Sequence, residues 1–208
     1  MIISFKHKFV FIAISKTASH TFREALRPEL GPRDWEQCKL FEKREFPVKA
    51  LAAVGHGHFT YAEIKPYLLP GMWDEFFTFC TIRNPFDRFV SHCCFIYRGT
   101  EELAKDPVGL MKRVIDLPQH AGAFRPQTDY VFDAKERLVV DKACRFESLQ
   151  SEFNEVIDRI GLKPKSLRHV NKSVHRPYQD YFDDELYQMV KQKYARDFHL
   201  LGYSSELG

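Results

Sequence analysis

The stretch from Lys8 to Leu26 constrains the fold more than any other part of the chain. It opens with Phe9-Val10-Phe11-Ile12-Ala13-Ile14, a continuous apolar run of strand length, rich in aromatic and β-branched side chains. Because the run does not alternate with polar residues, it reads as a strand buried on both faces. A polar turn, Ser15-Lys16-Thr17-Ala18-Ser19-His20-Thr21, follows at once, and Phe22, Ala25 and Leu26 then recur at helical spacing. Strand, hydroxyl-rich turn and helix together make an anion cradle. The helix start supplies N–H groups and a partial positive charge, the hydroxyls add donors, and Lys16 adds a full charge. The G-x-x-x-x-G-K-S/T spacing is absent and the turn has no glycine, so it is not the common P-loop. The plainer alternative is a helix capped by Ser or Thr beside a solvated lysine.

Further along, Pro28 and Gly31-Pro32 break the pattern, and Asp34 to Glu45 reads as a surface loop or short helix. Leu51-Ala52-Ala53-Val54 suggests a second strand, ending in the turn Gly55-His56-Gly57-His58-Phe59. Thr60-Tyr61-Ala62-Glu63 has the form of a capping box, so a helix is expected from there to about Tyr67. Phe76 to Ile82 is the next clear strand. It ends at Arg83-Asn84-Pro85, where the proline suits the first turn of a helix running to Tyr97. Arg83, Arg88 and Ser91 lie near that helix's N-terminal half, which makes a second strand-to-helix anion site.

Glu101 to Leu117 is expected to be helical with a break at Asp106-Pro107. A short strand is expected near Tyr130 to Phe132, and another from Arg137 to Asp141 that continues to Arg145-Phe146. Ser148 to Ile160 and Asp183 to Phe198 carry the apolar spacing of amphipathic helices, separated by a basic and polar loop from Leu167 to Tyr178. Alternating strands and helices, each main strand ending in a polar turn, argue for an α/β three-layer sandwich with a central parallel sheet. Ligands of such sheets bind at the carboxyl ends of the strands, the ends that carry Lys16, His58 and Arg83.

The chain has 208 residues, enough for a single domain over 1–208. A net charge of +3 is too small to argue for nucleic acid. The 19 phenylalanines suggest a core with large aromatic layers. Five cysteines, an odd number without metal-ligand spacing, fit reduced thiols, and no metal is expected. No apolar run reaches the roughly 18 residues that span a bilayer, and the order of charges at the N-terminus does not fit a secretory signal.

Two anion turns followed by a late basic loop resemble the PAPS-dependent sulfotransferases, in particular the carbohydrate branch that includes heparan sulfate 2-O-sulfotransferase. Ser15 to Phe22 is similar to that branch's P-K-T-A-G/S-T-S/T turn for the 5′-phosphosulfate. Lys16, Thr17, Ala18 and Thr21 match it, whereas Ser15 replaces a proline and His20 a threonine. Arg83 to Ser91 resembles the R-D/N-P-x-x-R-x-x-S element that binds the 3′-phosphate. His56 to Tyr61 resembles the H-G-H turn whose histidine is the catalytic base. The segments Arg125 to Tyr130, Arg145 to Leu149, His169 to Ser173 and Asp197 to Tyr203 resemble the downstream pattern of the same group.

The resemblance implies sulfuryl transfer from 3′-phosphoadenylyl sulfate (PAPS) to a hydroxyl, leaving 3′-phosphoadenosine 5′-phosphate. Lys16 would stabilise the charge that grows on the bridging oxygen, with His58 as the general base and His56 as the second choice. Ser15 to Thr21, with Arg83 and Ser91, would bind the nucleotide, and Asn171, Lys172 and Ser173 would close over it. Arg125 and Gln127 could face the nucleotide or the acceptor, and Tyr61 the acceptor, a carbohydrate or small molecule. A small nucleoside or nucleotide kinase and a non-catalytic phospho- or sulfo-ligand-binding module are the alternatives. The expected compartment is the cytoplasm, with a trimmed Golgi enzyme as the other option. The sequence does not specify an oligomeric state.

Overall fold

Five strands form one sheet in the order β3-β1-β2-β4-β5. They are β1 (Ile2–Ser4), β2 (Phe9–Ile12), β3 (Trp35–Glu36), β4 (Phe77–Ile82) and β5 (Lys142–Arg145). The structure is a computed structural model that describes residues 1–36, 48–52, 57–168 and 176–207. Contacts within the chain gather it into two units. One comprises Met1–Ile82 with Asp129–Val170, and the other Arg83–Thr128 with Asn171–Gly208.

The first unit holds the sheet. Strands β2, β4 and β5 run parallel, with Phe11 opposite Phe79 and Thr81 opposite Cys144. β1 runs antiparallel to both β2 and β3, so the sheet is mixed rather than wholly parallel. The short β3 falls within the stretch from Asp34 that the sequence gives as a surface loop or short helix, and β1 adds a strand ahead of the first expected one. Asp34 ties their connections together: its carboxylate accepts from the Ser4 hydroxyl at 2.6 Å and from the N–H groups of Phe5, Lys6 and Gly31 at 2.8, 3.2 and 2.9 Å. Such a clamp depends on residues far apart in sequence, and no local pattern announces it.

Every residue from Phe9 to Ile14 is fully buried, as its unbroken apolar character requires. Helices α1 (Ser19–Leu26) and α9 (Leu149–Arg159) pack Phe22, Leu26, Phe153, Val156 and Ile157 into a cluster with Phe9, Phe11 and Phe79 of the sheet. Phe11 stacks on Phe79 at 5.0 Å, and Phe22 meets Phe153 edge-on at 5.0 Å. Each of these rings contributes about 1.5–3 kcal/mol by leaving water.

Two expected strands are helices instead. Leu51 lies in α2 (Lys49–Ala52), because a run of Lys, Ala and Leu is a good helix former and weak in strand propensity. Ala53 and Val54, the rest of that expected strand, lie outside the described residues. Tyr130 lies in α8 (Thr128–Val131), and only an isolated bridge joins Phe132 to Leu138. The expected strand from Arg137 to Phe146 is reduced to β5. The remaining helices of this unit are α3 (Tyr61–Ile64) and α4 (Met72–Glu75). α3 starts at the capping box: the Thr60 side chain accepts from the Glu63 N–H at 3.2 Å, and the Glu63 carboxylate from the Thr60 N–H at 2.7 Å.

The second unit is helical: α5 (Pro85–Ile96), α6 (Glu101–Lys105), α7 (Pro107–Val114), α10 (Asp184–Lys193) and α11 (Ala195–Leu200). The Asp106-Pro107 break separates α6 from α7, and Asp106 caps α7 through the Gly109 N–H. Phe86, Phe89, Phe124, Leu186, Tyr194 and Phe198 belong to its core. Tyr194 is buried, and its hydroxyl donates to the Phe124 carbonyl at 3.0 Å. Among the described residues no helix is long and apolar enough to cross a membrane. Cys80, Cys93 and Cys144 are buried, and burial pushes the Cys144 thiol up to about 12, far from reactive thiolate character.

Candidate active site

The turn leaving β2 carries the predicted anion residues in a strained backbone. Lys16 and Ala18 both have φ of 62°, in the left-handed region that side chains other than glycine enter at a cost of about 1 kcal/mol each. The strain is held in place by Thr17. Its hydroxyl, fully buried, donates to the Ile14 carbonyl at 2.9 Å and lies 2.7 Å from the Thr81 hydroxyl of β4. A hydroxyl has one proton to give, so Thr81 donates to Thr17, which donates to Ile14. The Thr17 side chain thus anchors the turn to the sheet.

α1 begins immediately after. Ala18, whose side chain offers no acceptor, stands at the N-cap, and the first turn contains no acidic residue. The macrodipole's positive end is therefore not offset by a local carboxylate. Ser19 and Thr21 are buried, whereas Ser15, Lys16 and His20 are half-buried. His20 lies 3.7 Å from Glu24, yet its pKa is lowered, first by burial and then by the nearby Arg23 charge. Arg23 and Arg27 both converge on Glu36, a carboxylate almost wholly removed from water. Arg27 makes the closer contact at 2.8 Å, and Arg23 lies at 3.7 Å.

His58 belongs to this same corner. Its Nδ1 lies 2.8 Å from the Ala13 carbonyl. A carbonyl oxygen only accepts, so Nδ1 carries the hydrogen, and the lone pair of the neutral ring falls on Nε2. The tautomer of His58 is thereby fixed by the main chain just ahead of Lys16. Tyr61, half-buried, packs against Trp73 with ring centroids 4.6 Å apart, and Lys65 Nζ sits 5.2 Å from the Tyr61 centroid. His56, like Asn171, Lys172 and Ser173, lies outside the described residues.

Arg83 follows β4 and precedes α5. Its guanidinium is buried, and Nε donates to Asp87 at 2.7 Å, which sets the plane of the fork. The helix behind it starts as expected: Asn84 Oδ1 accepts from the Phe86 N–H at 2.9 Å, and Pro85 occupies the first turn. Asp87 therefore pairs with Arg83. Arg88, also buried, donates to the carbonyl of the half-buried Arg125 at 3.0 Å. Ser91 is buried on α5, and its hydroxyl has no hydrogen-bond partner among the described residues. An unsatisfied buried hydroxyl of this kind costs about 1–3 kcal/mol unless something pairs with it.

Gln127, expected to face the nucleotide or the acceptor, is fully buried. Its Oε1 accepts from the Arg83 N–H at 2.9 Å, and its Nε2 donates to the Arg83 carbonyl at 2.8 Å. Behind it stands Asp197, also fully buried, which the sequence marks only as the first residue of the segment Asp197 to Tyr203 and to which it assigns no role. The available signal was its spacing: Asp197 falls three after Tyr194 and four before Leu201, both buried, so it lies on the inward face of its helix.

Residues 1–102 match a family model described as the Sulfotransferase family. The match takes in the Lys16 turn, His58, Arg83 and Ser91, and supports a sulfotransferase relationship. No curated protein and no solved structure matches the chain.

Proposed function

We propose that residues 1–208 form one sulfotransferase domain that moves the sulfuryl group of 3′-phosphoadenylyl sulfate to a hydroxyl of a carbohydrate or small-molecule acceptor. The observation that carries this reading is the bond from His58 Nδ1 to the Ala13 carbonyl, which gives a base of defined tautomer to the same corner as Lys16. His58 Nε2 takes the proton of the acceptor hydroxyl as that oxygen bonds to sulfur. The sulfur–oxygen bond to the 5′-phosphate breaks, its electron pair stays on the phosphate oxygen, and Lys16 donates to that oxygen. Main-chain N–H groups of the turn, with the hydroxyls of Ser15, Ser19 and Thr21 and the imidazole of His20, hold the 5′-phosphate.

Arg83 and Ser91 hold the 3′-phosphate. Two features fit such a group: the guanidinium plane set by Asp87 and the unsatisfied Ser91 hydroxyl, which a phosphate oxygen would pair. Asn171, Lys172 and Ser173 belong to the same proposal on the strength of the sequence resemblance alone, and His56 is the second candidate for the base. The half-buried Tyr61–Trp73 pair offers apolar ring surface for an acceptor.

Transfer of radiolabelled sulfate from PAPS to a panel of sugar and phenol acceptors tests the reading. His58→Ala is expected to lose about 10²–10⁴ in turnover while keeping its affinity for 3′,5′-adenosine bisphosphate. Unchanged turnover in both His58→Ala and Lys16→Ala would remove the enzymatic role.

A further inference from the structure

We infer that Asp197 and Gln127 are positioning residues that set the chain's selectivity for a 3′-phosphate by fixing the Arg83 peptide. Asp197 Oδ2 accepts from the Gln127 N–H at 2.8 Å and from Gln127 Nε2 at 3.3 Å. Its Oδ1 accepts from the N–H and the hydroxyl of Thr128, both at 2.9 Å. A carboxylate in this setting only accepts, so the Gln127 amide cannot flip: Nε2 must lie toward Asp197, and Oε1 toward the Arg83 N–H. With that orientation fixed, the amide closes two bonds on one peptide position, as a neighbouring strand would.

The consequence concerns Arg83. It follows the last residue of β4, and Gln127 pairs with both its N–H and its carbonyl. At the other end, Asp87 holds Nε at 2.7 Å. Main chain and guanidinium are therefore fixed independently, and a cation fixed at both ends binds an anion with little further ordering cost. Removing Asp197 or Gln127 from water is itself unfavourable, so a carboxylate and an amide in this position serve orientation rather than core stability. The inference rests on the reading that Arg83 binds the 3′-phosphate.

The test compares affinities of the full chain for 3′,5′-adenosine bisphosphate and for adenosine 5′-monophosphate, which lacks the 3′-phosphate. Gln127→Glu keeps the shape and the acceptor toward the Arg83 N–H but loses the donor to its carbonyl. Asp197→Asn releases the amide to flip. Both are expected to lower the ratio of the two affinities by about tenfold while changing the monophosphate affinity by no more than about twofold. Thr128→Val removes one bond from Asp197 without touching the clamp, so it should lower the melting temperature and leave the ratio intact. A wild-type ratio in the folded variants overturns the inference, as does an equal loss in Thr128→Val. If Gln127→Glu fails to fold, Asp197→Asn decides. Arg83→Ala separates the 3′-phosphate reading from the role of Asp197 and Gln127. A ratio unmoved by Arg83→Ala sinks the 3′-phosphate reading and this inference with it, whereas a collapsed ratio there beside intact ratios in the other two sinks the inference alone.

Discussion

The chain leaves β2 and β4, two neighbouring parallel strands, in opposite ways. After β2 the backbone is strained: two residues with side chains take left-handed conformations, and a buried threonine pair holds them there. After β4 the local chemistry is relaxed, with Asn84 capping and Pro85 opening a long helix, and the position of Arg83 is set from a distance by Gln127 and Asp197. The first exit stores its geometry in the backbone and the second borrows it from a buried polar relay. Substitutions should therefore act locally in the first case and at long range in the second.

Thr17→Val breaks this contrast most severely. It leaves the Ile14 carbonyl and the Thr81 hydroxyl without their buried partner, and a loss of about 1–3 kcal/mol is expected in chemical denaturation, with Thr17→Ser restoring most of it. Asn84→Ala should cost about 1 kcal/mol by removing the cap on α5, and should leave the β2 exit unaffected. Ala18→Gly is expected to act with the opposite sign. Glycine relieves the left-handed strain, so the melting midpoint should rise by the equivalent of about 1 kcal/mol. A destabilised Ala18→Gly would mean that the turn is not strained in the way described.

The smallest effect concerns pH. Burial, then Arg23, lowers the His20 pKa below its ordinary value near 6.5, so the folded chain holds this proton less tightly than the unfolded one. The contribution of His20 to stability is then complete above the unfolded value and declines as pH falls from there through the depressed folded value. His20→Gln should flatten that part of the stability profile. An unchanged slope would contradict the assignment.

What was legible in the sequence divides along the same line. Continuous apolar runs announced β2 and β4, and cap signatures announced α3, α5 and the break between α6 and α7, because each of these signals is local. The turn that joins Ser15 to Thr21 was legible as chemistry but not as conformation, since nothing in the residue types Lys and Ala signals a positive φ. The sequence places Tyr130 at the start of a short strand. It is helical where Asp197, 67 residues further on, accepts the N–H groups of Gln127 and Thr128 at the start of α8. The sequence offers Gln127 as a contact to nucleotide or acceptor, and its full burial follows from a partner that no local window contains. The Asp34 clamp on β1 escaped notice for the same reason.

The proposed function assigns the 5′-phosphate of the nucleotide to Lys16 and the 3′-phosphate to Arg83. Calorimetric titration of wild-type, Lys16→Ala and Arg83→Ala chains with 3′,5′-adenosine bisphosphate and with adenosine 5′-monophosphate tests it most directly. The account predicts that each substitution weakens the bisphosphate by about tenfold or more, and that only Lys16→Ala also weakens the monophosphate. Equal losses for both nucleotides in Arg83→Ala, or no loss of bisphosphate binding in either variant, would contradict it.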